Sequence, residues 1–242
     1  MNIVMQQLYD RKSVRSFTDR EISPQDADHI LTAATMAPTA GNQQLYTILN
    51  ITDPQLKESL SRSCDNQPFI AEGKLVLIFC ADCRKWYEAF CCAGCAPRKP
   101  GEGDLMLAVC DAMIAAQNAV VAAESLGIGS CYIGDIMENA EIHQKALHLP
   151  RYVFPVGMLV FGYPTEQQKA RPKPERVALK HIVHENTYRE MDEQELRDMF
   201  ASHCGDKGYD LWMQAFCNRK YNSDFSVEMT RSVREYLKQF SE

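Results

Sequence analysis

The chain has 242 residues, a length that suits one large domain or one domain with an elaborated end. Apolar residues make up 45% and charged residues 24%, which excludes a disordered or fibrous chain. The net charge of -6 argues against nucleic acid as a general partner. No run approaches the roughly 20 apolar residues of a membrane span, and Met1-Asn2-Ile3-Val4 lacks the basic head and apolar core of a signal peptide. A cytoplasmic location is the resulting expectation.

Residues 2–10 read as a short amphipathic helix with Ile3, Val4 and Leu8 on one side. Next comes Arg11-Lys12-Ser13-Val14-Arg15-Ser16-Phe17, three cations and two hydroxyls in one short stretch. On an acidic chain, such a cluster is either a solvated helix end or a site for phosphate, which Arg15 can grip bidentately and Lys12 can meet as a point charge. Ser23-Pro24-Gln25-Asp26 has an N-cap serine, proline in the first turn and an acid behind it, and predicts a helix to about Met36 that Pro38 ends. Residues 38–44 (Pro-Thr-Ala-Gly-Asn-Gln-Gln) offer hydroxyl and amide groups suited to a polar ring edge.

Residues 47–51 read as a strand, and Asp53-Pro54 opens another helix. The unbroken apolar run from Lys74 to Cys80 has strand length and suits a central strand covered on both faces. Cys80, Cys83, Cys91, Cys92 and Cys95 crowd together, and two of the pairs have the two-residue separation of a zinc or iron–sulfur site. The alternative is a set of reduced thiols acting as small apolar residues around a strand end and the following helix; the segment between the pairs reads as that helix. No metal site is expected.

Gly103 to Leu126 is the longest helical signal. It is apolar nearly all round, as in a helix buried on every side or laid against a second subunit. Strands follow at 128–133 and 153–161. The first runs into Tyr132-Ile133-Gly134-Asp135, where a glycine would let backbone N–H groups approach a flat ligand, unless this is an ordinary strand-to-helix turn. A basic connector carries Lys169, Arg171 and Lys173, and the chain from Asp192 to Phe240 reads as two or three helices. Interleaved strands and helices place the chain in the α/β or α+β class.

No nucleophile, zinc-protease, Walker or dinucleotide-binding motif is present. Ser13 and Ser16 have no evident base, and His143, His148, His181 and His184 read as surface or capping histidines. A phosphate site and ring-edge polar groups without a nucleophile point to a cofactor that carries the chemistry itself.

Across roughly residues 5–190 the chain resembles the FMN-dependent nitroreductases, closest to the oxygen-insensitive NAD(P)H nitroreductase and flavin reductase subgroup. The resemblance rests on ordered motifs: Arg11 through Asp19, Ala37 through Asn42, Phe79-Cys80-Ala81-Asp82, Ala116-Gln117-Asn118-Ala119 through Gly127, Tyr132-Ile133-Gly134, Lys169 with Arg171, and His184 through Tyr188. It implies an α+β fold, a central mixed sheet flanked by helices, in an intertwined homodimer with flavin sites at the interface. Residues 1–190 would be the FMN-binding domain and 191–242 its C-terminal helical extension.

By the same resemblance Arg11, Lys12, Ser13 and Arg15 would hold the FMN phosphate and ribityl chain, completed by Lys169 and Arg171. Pro38, Thr39 and Asn42 of the other subunit and Gln67 would contact the flavin, and the backbone at Ile133 and Gly134 would face N5 and its neighbours. NAD(P)H would reduce FMN, and a nitroaromatic, quinone or flavin acceptor would reoxidise it in a ping-pong cycle with no catalytic side chain. A flavin-consuming or reductive-dehalogenating relative and a flavin- or metal-holding protein are the alternatives. Asp135, standing where the subgroup often has a second glycine, would place a carboxylate near the ring. Arg219-Lys220 are either the pair that would meet the nicotinamide nucleotide's phosphate or a plain solvated charge pair.

Overall fold

The computed structural model describes residues 1–241. They form two compact units: Met1–Arg171 together with the chain from Glu228 onward, and Pro172–Val227.

The first unit opens with α1 (Ile3–Asp10) and α2 (Pro24–Thr35), the latter capped by the Ser23 hydroxyl, which accepts from Asp26 N. β1 (Tyr46–Asn50) leads through α3 (Pro54–Ser63) and α4 (Phe69–Glu72) into β2 (Leu75–Asp82). After α5 (Arg84–Cys92) and the long α6 (Glu102–Ser125) come β3 (Gly129–Ile133), α7 (Ala140–Ala146), β4 (Val153–Gly162) and α8 (Glu166–Ala170). The second unit holds α9 (Glu193–Cys204) and α10 (Tyr209–Lys220), and α11 (Asp224–Leu237) returns to the first. Inside the second unit Trp212 stacks on Phe216 at 4.9 Å and lies 5.9 Å from Phe200, a half-buried aromatic cluster.

The four strands run in the order β1-β2-β4-β3 with every ladder antiparallel. Outside these ladders, an isolated parallel bridge joins Ser13 to Ser130. Every residue of β2 is buried, because the sheet is covered on both faces. Leu75, Leu77, Phe79 and Ala81 point into one core with α2 and α6, while Val76, Ile78 and Cys80 point into the other with α3 and α4. In β4 this alternation changes parity. Phe154 and Val156 face the α6 side, but so do Leu159 and Phe161, because a bulge opposite Phe79/Cys80 inserts one residue. Each fully buried large aliphatic side chain contributes about 1.5–3 kcal/mol.

Within one chain α6 is covered on part of its circumference. Over its 18-residue window it has a mean hydropathy of 1.7, long and apolar enough by composition to cross a membrane. It is not buried on every side within one chain. A stripe of small residues (Ala108, Ala112, Ala115, Ala119, Ala123) lies against α2 and the sheet, while Met106, Leu107 and Ile114 on the other side are exposed. Ile3, Val4 and Leu8 of α1 are exposed as well.

The segment 13–18 is stitched along the sheet end. Val14 N donates to Ser130 O at 2.9 Å, and Thr18 N donates to Tyr163 O at 2.8 Å. Two glycines make room for it: a Cβ at Gly129 would lie 2.6 Å from Val14 Cγ2, and one at Gly162 would lie 2.6 Å from Phe17 Cγ. Gly129→Ala and Gly162→Ala should each destabilise the protein by about 1–3 kcal/mol in urea unfolding. Gly103→Ala, whose Cβ would meet nothing within 4 Å, should be neutral or stabilising.

Candidate functional site

The stitched segment brings the two basic clusters together. Arg171 Nη2 donates to Ser13 O at 2.6 Å, and Arg15 N donates to Gln168 Oε1 at 3.2 Å. Lys12 Nζ donates to Lys169 O at 2.6 Å and to Arg171 O, so its ammonium ties the clusters to each other. Lys169 Nζ pairs with Glu166 at 2.6 Å. Arg11 lies over the Tyr132 ring at 5.9 Å. Burial raises the Cys131 thiol, against the pull of Arg15, Ser13 and Arg11, which places all three around the middle of β3.

The arginines are incompletely satisfied. Arg11 Nε and Nη2, Arg171 Nε and the Ser130 hydroxyl are buried without a hydrogen-bond partner among the described residues. Buried charged donors left unpaired cost about 1–3 kcal/mol or more each, so an anion with several acceptor oxygens suits this place.

A second element is the loop carrying Pro38, Thr39 and Asn42. Gly41, Asn42 and Gln44 have φ of +58°, +57° and +50°, left-handed conformations that cost non-glycine residues roughly 1–2 kcal/mol each. Asp111, 3% exposed on α6, holds the loop in this shape. It accepts from Thr39 Oγ1, from Ala40 N at 3.0 Å and from Leu45 N at 3.2 Å. The Thr39 hydroxyl also accepts from Gln44 N at 2.8 Å, which leaves Pro38 and Asn42 as the exposed members. Among the described residues no hydrogen bond or ion pair joins this loop to the basic clusters.

The third element is the end of β3. A hollow of about 410 Å³ is lined by Met113, Gln117, Tyr132, Gly134, Met137 and Gly157, among others. Gly134 has a right-handed φ of -79°, and a Cβ there would meet only Met137 Cε at 3.9 Å, so neither strain nor crowding within the chain requires glycine. The bare backbone faces open space. The Ile133 side chain is 2% exposed in the core, leaving only its backbone for a ligand. Gln67 is tied to Asp135, its Nε2 donating to Oδ1 at 3.1 Å. Nearby, Glu138 is 5% exposed and its carboxyl is pushed up to about 7 by burial and by the charges of Asp135, Asp65 and Glu228.

Sequence reading missed Asp111 and Glu138. A lone carboxylate in a long apolar helix was the available signal for the first; the second depended on which carboxylates the fold gathers. His143 is corrected from surface to core. It is fully buried, with Nδ1 2.9 Å from Ile136 O and Nε2 2.8 Å from Ser63 Oγ, and burial lowers its pKa. Of the cysteine group, Cys80 and Cys83 are buried and Cys91, Cys92 and Cys95 exposed. Among the described residues no group of three or more His, Cys, Asp or Glu is arranged to hold a metal.

Residues 8–163 match the family model described as Nitroreductase family. The chain is 31% identical over 238 residues to FMN reductase [NAD(P)H] of Bacillus subtilis, covering 98% of this chain and 91% of that protein. It is 32% identical over 195 residues to the oxygen-insensitive NADPH nitroreductase of Salmonella typhimurium, covering 80% and 78%. The solved structure of B. megaterium NfrA2 superposes with a TM-score of 0.84 at 30% identity, covering 99% of this chain and 98% of that one.

Asp111→Ala would leave Ala40 N and Leu45 N without their acceptor. It should destabilise the protein by about 2 kcal/mol or more in urea and increase amide hydrogen exchange across residues 39–45. Glu138 has a sign that pH can read. Its carboxyl rises from an ordinary 4.5 to about 7 in the folded chain. Its contribution to stability is therefore full below about 4.5 and lost as pH rises through 7. Glu138→Gln should unfold like wild type near pH 4 and be more stable than it, by about 2–3 kcal/mol, at pH 8.

Proposed function

The chain belongs to the nitroreductase family, and from that footing we propose that it is an FMN-dependent oxidoreductase passing reducing equivalents from NAD(P)H to nitroaromatic, quinone or flavin acceptors. The observation that carries the reading is the set of buried, unpaired donors on Arg11, Arg171 and Ser130, gathered on an otherwise acidic protein. That set fits a phosphomonoester, with Arg15 and Ser13 beside it. When bound, FMN supplies the redox chemistry, taking a hydride from the nicotinamide and returning two electrons to the acceptor.

The residues of the chain bind, orient and shield. Arg11, Ser13, Arg15 and Arg171 hold the phosphate end, while Lys12 locks the two segments that present them and Lys169 adds positive charge nearby. The backbone at Ile133 and Gly134 meets the ring where no side chain intervenes, and Gln67 meets its edge. The hollow beside Gly134 is open to solvent and largely apolar, with methionines on its wall, which suits a planar acceptor held mainly by stacking. No side chain is required as a proton-transfer catalyst. Arg219 and Lys220, in the last turn of α10, are the cations proposed to distinguish NADPH from NADH.

Pro38 and Asn42 serve the ring of a second copy, on a loop whose shape Thr39 holds through Asp111 and Gln44. The exposed Ile3, Val4 and Leu8 of α1 with Met106, Leu107 and Ile114 of α6 provide the apolar surface that a homodimer would cover. Ten unpaired cysteines suit the reducing cytoplasm in which NAD(P)H is available.

The protein purified without added flavin should be yellow and should bleach on anaerobic titration with stoichiometric NADPH or NADH. Arg15→Ala combined with Arg171→Ala should weaken FMN affinity at least about a hundredfold, two charged hydrogen-bonding groups being removed. The double variant should otherwise remain folded. Full flavin occupancy in that variant would overturn the phosphate assignment.

A further inference from the structure

Gln67 reaches the end of β3 from the loop between α3 and α4, and its side chain is held at one end. Nε2 donates to Cys64 O at 2.9 Å and to Asp135 Oδ1 at 3.1 Å. A backbone carbonyl and a carboxylate oxygen accept and do not donate, so the nitrogen of this amide, and not its oxygen, must face them. Turning the amide over would set Oε1 against two acceptors. The backbone beneath is fixed as well, Gln67 N donating to Ser61 O at 2.9 Å. With one hydrogen of the NH2 group given to each partner, both donors are occupied. The group left for a ligand is Oε1, which can only accept, and among the described residues no donor approaches it.

Cys64 O alone would hold one of the two hydrogens and leave the other available to a ligand carbonyl. Asp135 takes that second hydrogen. It does so in a place where a carboxylate is costly, next to the buried Glu138, whose carboxyl its charge helps to raise. A glycine or alanine at 135 would avoid that repulsion but would give up the hydrogen bond to Gln67.

We propose that Asp135 is a positioning residue that fixes the Gln67 amide so that it offers the flavin ring an acceptor and no donor. The ring edge selected is then the pyrimidine N3–H, flanked on either side by carbonyls that an NH2 group would have met. The inference rests on the flavin reading above and deepens it, since that reading places an amide at the ring without saying which end faces it.

The test compares binding of FMN and N3-methyl-FMN, which share phosphate, ribityl chain and carbonyls and differ only at the hydrogen in question. Dissociation constants are read by flavin fluorescence or absorbance in wild type, Asp135→Asn, Asp135→Ser and Asp135→Gly. Wild type should prefer FMN by about tenfold or more, the equivalent of one hydrogen bond. Asn and Ser still carry an oxygen acceptor, and the Asn variant should keep the preference. Gly should reduce it to about threefold or less, because the amide is then free to present its nitrogen. Unchanged discrimination in the Gly variant, or equal affinity of wild type for the two flavins, would overturn the proposal. A wild-type protein that takes up neither flavin would overturn the flavin reading, and this inference with it.

Discussion

Val14 and Phe17 press against the backbone at Gly129 and Gly162 with no room for even a methyl group between them. This close approach is what lets the segment after α1 lie along the ends of β3 and β4, and most of the candidate site depends on it. Once Val14 N is bonded to Ser130 O, Arg11, Ser13 and Arg15 are carried to the middle of β3. Once Thr18 N is bonded to Tyr163 O, the chain leaving β4 is held close enough for Arg171 to reach Ser13 O and for Lys12 to bridge to Lys169 and Arg171. Bulk is excluded at two backbone positions, and positive charge is concentrated at a third.

α6 plays a different part. Its alanine stripe brings the helix close to the sheet and to α2, and the same helix sends one carboxylate, Asp111, into a loop that would not otherwise keep its shape. A loop with several left-handed residues persists only where its surroundings over-determine it. Three donors converging on one buried carboxylate do that, and they also remove the cost of burying its charge. The bulge in β4 belongs to the same region. It changes the strand's parity next to Gly157, on the wall of the hollow beside Gly134.

Electrostatically, the middle of β3 differs from the chain that follows it. Arg11 and Arg15 lie near Cys131, and Arg11 near Tyr132, whereas the chain beyond Gly134 gathers Asp135, Glu138 and Glu228. Glu228 is itself held by Arg231, which also pairs with Glu141 at 2.8 Å. Among the described residues no ion pair holds Glu138, and burial first, then the charges of Asp135, Asp65 and Glu228, make it retain its proton to higher pH. A ligand with a dianionic head and a neutral ring carrying an N–H edge fits this polarity along its length.

Much of this was legible beforehand because it is local. Ser23 and Pro24 specify a helix start wherever they stand, and an unbroken apolar run from Leu75 specifies a strand covered on both faces. The order of the motifs was legible too, and with it the family and the α+β class. What the sequence could not specify were relations between residues far apart along it. His143 looked like a surface histidine because nothing nearby reveals that Ser63 and Ile136 will enclose it. Lys12 looked like a phosphate ligand, yet its ammonium meets carbonyls 157 and 159 residues away. Composition could therefore determine which chemical groups this protein has, whereas only the tertiary structure could decide which of them pair with each other and which are left to face a ligand, because hydrogen bonding and burial depend on distance in space.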